Sequence, residues 1–132
     1  MLAINQISLL LIEQTARDAE AFSRAFAPYA PKGMHISYAV GVKEALRVLS
    51  EKQIDFIVMR TKLGVDSGFD FCKYLRSTTE LKHTPIIMFD TAATAKEKVQ
   101  GFVSGADDFI VLPIDMRLFL SRMKLLLKIK SI

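Results

Sequence analysis

The stretch PIIMFDTAATAKEKVQGFVSGADDFIVLP, Pro85 to Pro113, reads in turn as strand, helix and strand. Pro85 to Phe89 is an unbroken apolar run, too short for a buried helix and suited to a strand covered on both faces. Ala95 to Ser104 follows as a helix, and Phe109 to Leu112 as a strand that Pro113 ends. Asp115 then stands where it can cap a final helix.

The same alternation continues towards the amino terminus. Ile54 to Met59 is a strongly apolar strand, Thr61 to Gly68 a loop, and Phe69 to Arg76 a helix. Earlier, Ile7 to Ile12 reads as a strand and Ala16 to Phe26 as a helix, with Ala19, Phe22 and Phe26 recurring at helical spacing. Pro28, Pro31 and Gly33 break that helix before a weaker strand, His35 to Val40, and a short helix, Lys43 to Leu49. Five strand–helix units in one chain predict an α/β fold, with a parallel five-stranded sheet covered by helices on both faces. In the doubly wound, flavodoxin-like order 2-1-3-4-5, ligands bind beyond the carboxyl ends of the strands. Chemistry is therefore expected just after Ile12, Met59 and Phe89, and near Leu112.

Bulk properties narrow the classes. The 132 residues, 51% of them hydrophobic, predict a single domain over 1–132 with a real core. No apolar run approaches the ~20 residues of a membrane span, and the amino terminus lacks signal-peptide features. The lone cysteine, Cys72, excludes an internal disulfide, suits a reducing cytoplasm and sits at a core-facing helical position. Net charge is +4, but the cations are scattered. Arg117, Arg122, Lys124, Lys128 and Lys130 interleave with Phe119, Leu120, Met123, Leu126 and Leu127, and read as the wet face of an amphipathic helix rather than a nucleic-acid or membrane surface.

The chain resembles the receiver domain of bacterial response regulators over nearly its full length. Pro85-Ile-Ile-Met-Phe is similar to that family's fourth strand, and Gly101 with Gly105-Ala-Asp-Asp-Phe109 follows at the family's spacing. Pro113 resembles the proline of the family's Lys-Pro pair. Lys43-Glu-Ala-Leu46, Asp55-Phe-Ile-Val-Met59 and Gly68 match in order upstream. The resemblance implies phosphoryl transfer from a histidine kinase to an aspartate, with Mg²⁺ held by acidic residues after the first strand.

The positions carrying that chemistry are altered. By the resemblance, the acidic pair falls on Glu13 and Gln14, and the phosphoacceptor on Arg60, a permanent cation that cannot be a nucleophile. The hydroxyl position falls on Asp90 with Thr91 beside it, the lysine on Leu112, and the switch aromatic on Phe109. No catalytic residue is expected, and Mg²⁺ binding is expected to be weak or absent. Glu13 and Asp90 end the strands that flank Arg60, so a carboxylate–arginine–carboxylate cluster is expected where metal and phosphate would meet.

The remaining polar residues suggest no second site. His35 and His83 lack metal-spaced partners, Asp107 and Asp108 read as turn residues, and Asp66, Ser67 and Asp70 read as loop and helix-start residues. Leu118 and Leu125, seven apart on the last helix, lie off its core stripe and suggest a seam for a partner or a second copy. The face made by the fourth helix, fifth strand and fifth helix often binds partners in the family. The resulting reading is a non-enzymatic, cytoplasmic pseudo-receiver of two-component signalling, acting through protein contacts and capable of forming a homodimer. Two alternatives stay open: a phosphorelay component using Glu13, Asp66 or Asp90, and a small-molecule or nucleic-acid binder. The sequence ends where the receiver fold ends, as expected either of a stand-alone regulator or of one domain of a longer protein.

Overall fold

The computed structural model describes residues 6–130, with side chains through residue 128. Five strands form the sheet: β1 (Ser8–Glu13), β2 (His35–Val40), β3 (Phe56–Arg60), β4 (Ile86–Asp90) and β5 (Asp108–Val111). Five helices connect and close them: α1 (Ala16–Phe26), α2 (Gly41–Glu51), α3 (Gly68–Arg76), α4 (Ala95–Ser104) and α5 (Met116–Lys130). All sheet pairings are parallel, in the order β2-β1-β3-β4-β5. This is the doubly wound fold that the alternation predicts.

The sheet divides two apolar clusters. Leu10, Ile12, Ile57, Met59, Ile86 and Met88 point to one face, under α2, α3 and α4. Leu9, Leu11, Phe56, Val58, Ile87 and Phe89 point to the other, where Phe22 and Phe26 of α1 meet Phe119 and Met123 of α5. Period-two alternation thus serves two cores at once, which is why the strands look uniformly apolar in sequence. Phe119 sets its ring edge-on to Phe22 and Phe26, at centroid distances of 5.7 and 5.3 Å.

Three strand ends position the site. β1, β3 and β4 each run one residue past the apolar runs Ile7 to Ile12, Ile54 to Met59 and Pro85 to Phe89, so that Glu13, Arg60 and Asp90 are the last strand residues, as the expected cluster requires. The ladder extends because its partners continue alongside, with Glu13 opposite Val40, Arg60 opposite Phe89 and Asp90 opposite Val111. The segment read as a loop, Thr61 to Gly68, contains a small antiparallel hairpin, Lys62–Leu63 with Asp66–Ser67. It turns at Gly64, whose positive φ of 73° suits glycine.

Helix ends follow ordinary chemistry. Thr15, Ser67 and Thr94 cap α1, α3 and α4 through side-chain oxygens, and Thr94 forms a full capping box with Glu97. Asp115 accepts from the backbone N–H of Arg117 at 2.9 Å, capping α5. Gly68 brings the start of α3 against the end of β3, its N–H donating to the Thr61 carbonyl at 2.7 Å. A Cβ there would collide with the carbonyls of Arg60 and Thr61. Glycine at this position therefore fixes the backbone that carries Arg60.

Candidate functional site

Arg60 leaves the last position of the central strand between two neighbours that each end in a carboxylate. Its Nε donates to Glu13 Oε1 at 2.6 Å and its Nη2 to Glu13 Oε2 at 3.0 Å, the two-pronged geometry that favours arginine over lysine. On the other side Nη1 donates to Asp90 Oδ1 at 3.3 Å. The three residues are 7%, 1% and 9% exposed for Arg60, Glu13 and Asp90, so the guanidinium does not point into solvent. Its Cζ lies over the Phe89 ring, 5.1 Å from the centroid.

A second layer holds the carboxylates. Thr61 Oγ1 donates to Asp90 Oδ2 in a short hydrogen bond. The Thr91 N–H reaches Asp90 Oδ1 at 2.7 Å, and the Gln14 N–H reaches Glu13 Oε1 at 3.0 Å. Burial works against the charge on Arg60, but the bond to Glu13 and the nearby charges of Glu13, Asp90 and Asp18 outweigh it, holding its pKa above the usual arginine value. The cluster is a charged core element whose every member is hydrogen-bonded.

A cavity of about 470 Å³ opens beside it, between α1 and the segment joining β5 to α5. Glu13, Arg60 and Asp18 supply its polar lining, and Phe22, Leu112, Ile114 and Met116 its apolar wall. Thr91 stands at the rim, exposed.

The structure brings together Glu13, Arg60, Asp90 and Thr91, with Leu112 on the cavity wall. Gln14 lies beside the cluster but turns its amide to Asp18, Nε2 to Oδ2 at 3.0 Å. Phe109 belongs to the opposite core, buried where a Cβ on Gly101 would come within 2.8 Å of its ring. Leu118 and Leu125 are remote and exposed on α5.

Sequence reasoning missed Thr61, Asp18 and Phe89. Thr61 follows Arg60 directly, and strand alternation gives no hint that both reach Asp90. Asp18 had a local cue, its four-residue spacing from Gln14. His35 and His83 are exposed, and no trio of His, Cys, Asp or Glu among the described residues is placed to hold a metal. Asp107 is no plain turn residue: it accepts from Arg76 Nη2 and from the Ile86 N–H, each at 2.9 Å, and so ties α3 to β4. Cys72 is buried, and burial pushes its thiol pKa up, away from nucleophilic use. The basic stripe on α5 is partly neutralised, Arg117 by Asp115 at 2.8 Å and Arg122 by Asp108 at 3.5 Å; the Lys130 side chain lies outside the described residues. No helix among the described residues is long and apolar enough to cross a membrane.

A parallel sheet of this order, with polar residues gathered at the carboxyl ends of its first, third and fourth strands, defines a doubly wound, flavodoxin-like domain. The family model for the response regulator receiver domain matches residues 9–124, and this chain belongs to that family. It is 32% identical to the transcriptional regulatory protein AfsQ1 of Streptomyces coelicolor, over 92% of this chain and 51% of that protein. It is 30% identical to the phosphate regulon transcriptional regulatory protein PhoB of Rhizobium meliloti, over 74% of this chain and 43% of that one. The chain thus spans about half the length of such curated relatives. Among solved structures, the chemotaxis response regulator CheY4 of Vibrio cholerae superposes with a TM-score of 0.77 at 23% identity, covering 91% of this chain and 98% of that one. A two-component response regulator of Clostridium difficile gives 0.79 at 20% identity, over 93% and 97%. Those two likenesses establish the fold.

Proposed function

We propose that this receiver domain is a phosphorylation-independent protein-interaction module of two-component signalling. The observation that carries the reading is Arg60, buried at the end of the central strand and forked onto Glu13. By the family resemblance that position belongs to the phosphoacceptor aspartate, and a guanidinium offers no lone pair for phosphoryl transfer. Leu112 stands where the resemblance expects a lysine, and Asp90 where it expects a hydroxyl.

Magnesium does not fit this pocket. A hard divalent cation needs several open oxygen ligands. Both Glu13 oxygens and both Asp90 oxygens already accept from Arg60, Thr61, Thr91 and Gln14, and Arg60 fills the space between them with positive charge. The alternative of a substitute nucleophile meets the same obstacle, because the carboxylates nearest the site are engaged. The domain then works through its surface. The exposed apolar residues of α4 and α5, Val99, Phe102, Val103, Leu118 and Leu125, give a protein partner a place to bind beside β5.

The test is an amide NMR spectrum recorded with a small phosphodonor, and again with beryllium fluoride plus Mg²⁺. The spectrum is expected to stay unchanged. Shifts gathered at Glu13, Arg60 and Asp90 would overturn the reading.

A further inference from the structure

A second apolar concavity lies on the opposite side of the molecule from α5. It is a groove of about 280 Å³ between α2, the Lys62–Ser67 hairpin and α3. Val42, Leu46, Phe71 and Tyr74 form its floor, the two rings stacked at 6.2 Å between centroids. Its charged lining is purely acidic, from Asp66 and Asp70, and neither side chain joins an ion pair among the described residues. Leu46 and Tyr74 are exposed, and Val65 at the adjoining hairpin tip is fully exposed. A groove of this kind calls for an apolar side chain flanked by cations.

The same chain carries that chemistry on α5. Leu118 and Leu125 are 49% and 58% exposed and lie two helical turns apart, about 10.5 Å along the axis. Arg122 sits between them on the same side of the helix, four residues from one and three from the other. Its 3.5 Å pair with Asp108 is long, and its side chain remains 40% exposed. Lys128 extends the basic row one turn beyond Leu125.

We propose that the α2–hairpin–α3 groove receives the leucine ridge of α5 from a second copy of this chain. One leucine fills the floor while Arg122 and its basic neighbours face Asp66 and Asp70. The contact is heterologous, since groove and ridge are different surfaces on different elements. It therefore leaves a free groove at one end of any pair and a free ridge at the other, and growth continues unless a ring closes. This inference is independent of how the Arg60 cluster answers phosphodonors.

Sedimentation of the full chain over a concentration series tests it, with two double variants at exposed positions. Asp66→Asn/Asp70→Asn disables the groove, and Leu118→Ser/Leu125→Ser disables the ridge. The wild type is expected to form species larger than dimers as concentration rises, less so at high salt. Each variant is expected to associate at least about tenfold more weakly. Mixed in equal amounts, the two variants still own one intact groove and one intact ridge, and should form a dimer that stops there. Circular dichroism melts confirm that both remain folded. A wild type that stays monomeric overturns the proposal. So does a groove variant that associates like the wild type, a ridge variant that does so through α4, or a mixture that remains monomeric.

Discussion

At the scale of single residues, the chemistry turns on how much Arg60, Glu13 and Asp90 depend on one another. Removing one partner of a buried, hydrogen-bonded ion pair leaves an uncompensated charge, at a cost of about 3–5 kcal/mol. Arg60→Ala is therefore expected to destabilise strongly, because Glu13 and Asp90 would face each other without a cation. Asp90→Ala removes one of those stranded charges, so the double variant should lose clearly less than the two single losses added together. Urea denaturation of all four proteins measures this, and simple additivity would show that the cluster is not an energetic unit. A milder effect belongs to Asp18. The Gln14 amide, and after it the Thr15 hydroxyl, hold the Asp18 carboxyl below its ordinary pKa, against a small opposing effect of burial; Arg60 and Arg17 add attraction. A carboxyl depressed in the folded state contributes stability above its unfolded pKa, and that contribution fades as pH falls through the folded value. Gln14→Ala should move the Asp18 titration upward, as read by carboxyl carbon NMR, and leave a variant with less stability to lose to acid. Identical titration in the two proteins would refute the role given to Gln14.

At the scale of elements, the order and type of the five α-helices and of the five strands of the parallel sheet were legible, and the reasons are physical. Apolar runs of four to six residues between helical patterns have few readings other than a doubly covered parallel sheet. Strand ends were less legible, because a parallel ladder stops where its neighbour stops, and a single strand carries no record of its neighbour's length. That extra residue is what makes Glu13, Arg60 and Asp90, already expected at strand ends, fixed members of adjacent strands. The hairpin after β3 was illegible for another reason. Two-residue strands have no periodicity, and this one rests on Gly64 and on the approach of Gly68 to the end of β3. The principal pairing at the site could be read from the positions the family resemblance assigned, since a cation between two acids at neighbouring strand ends has an obvious use. Thr61 could not, as a threonine after a strand end is ordinary wherever it occurs. Asp107 was undervalued because its partner, Arg76, is 31 residues away and arrives only when α3 packs beside β4.

At the scale of the molecule, the question is whether the fold still has a second state for a ligand to select. A ligand shifts an equilibrium only by its difference in affinity between two states, and it stabilises only what it binds. In a receiver pocket that accepts metal and a phosphoryl mimic, saturation at a hundred times Kd adds about 2.7 kcal/mol, on the order of 10 °C in melting temperature for a domain of this size. On the proposed reading, the strand-end carboxylates are engaged by Arg60, and Leu112 brings no charge to meet a phosphoryl group. Scanning calorimetry with millimolar Mg²⁺ and beryllium fluoride should therefore leave the melting temperature where it stands without them. Arg60→Asp is the informative companion, because it places an acidic side chain at the same strand end while Glu13 stays in place. If the wild type itself is stabilised by several degrees, Arg60 moves aside for metal and the pocket is not closed. If neither protein responds, the neutral Gln14 and Leu112 are enough to exclude the ligand, and the arginine secures an exclusion that its neighbours already impose.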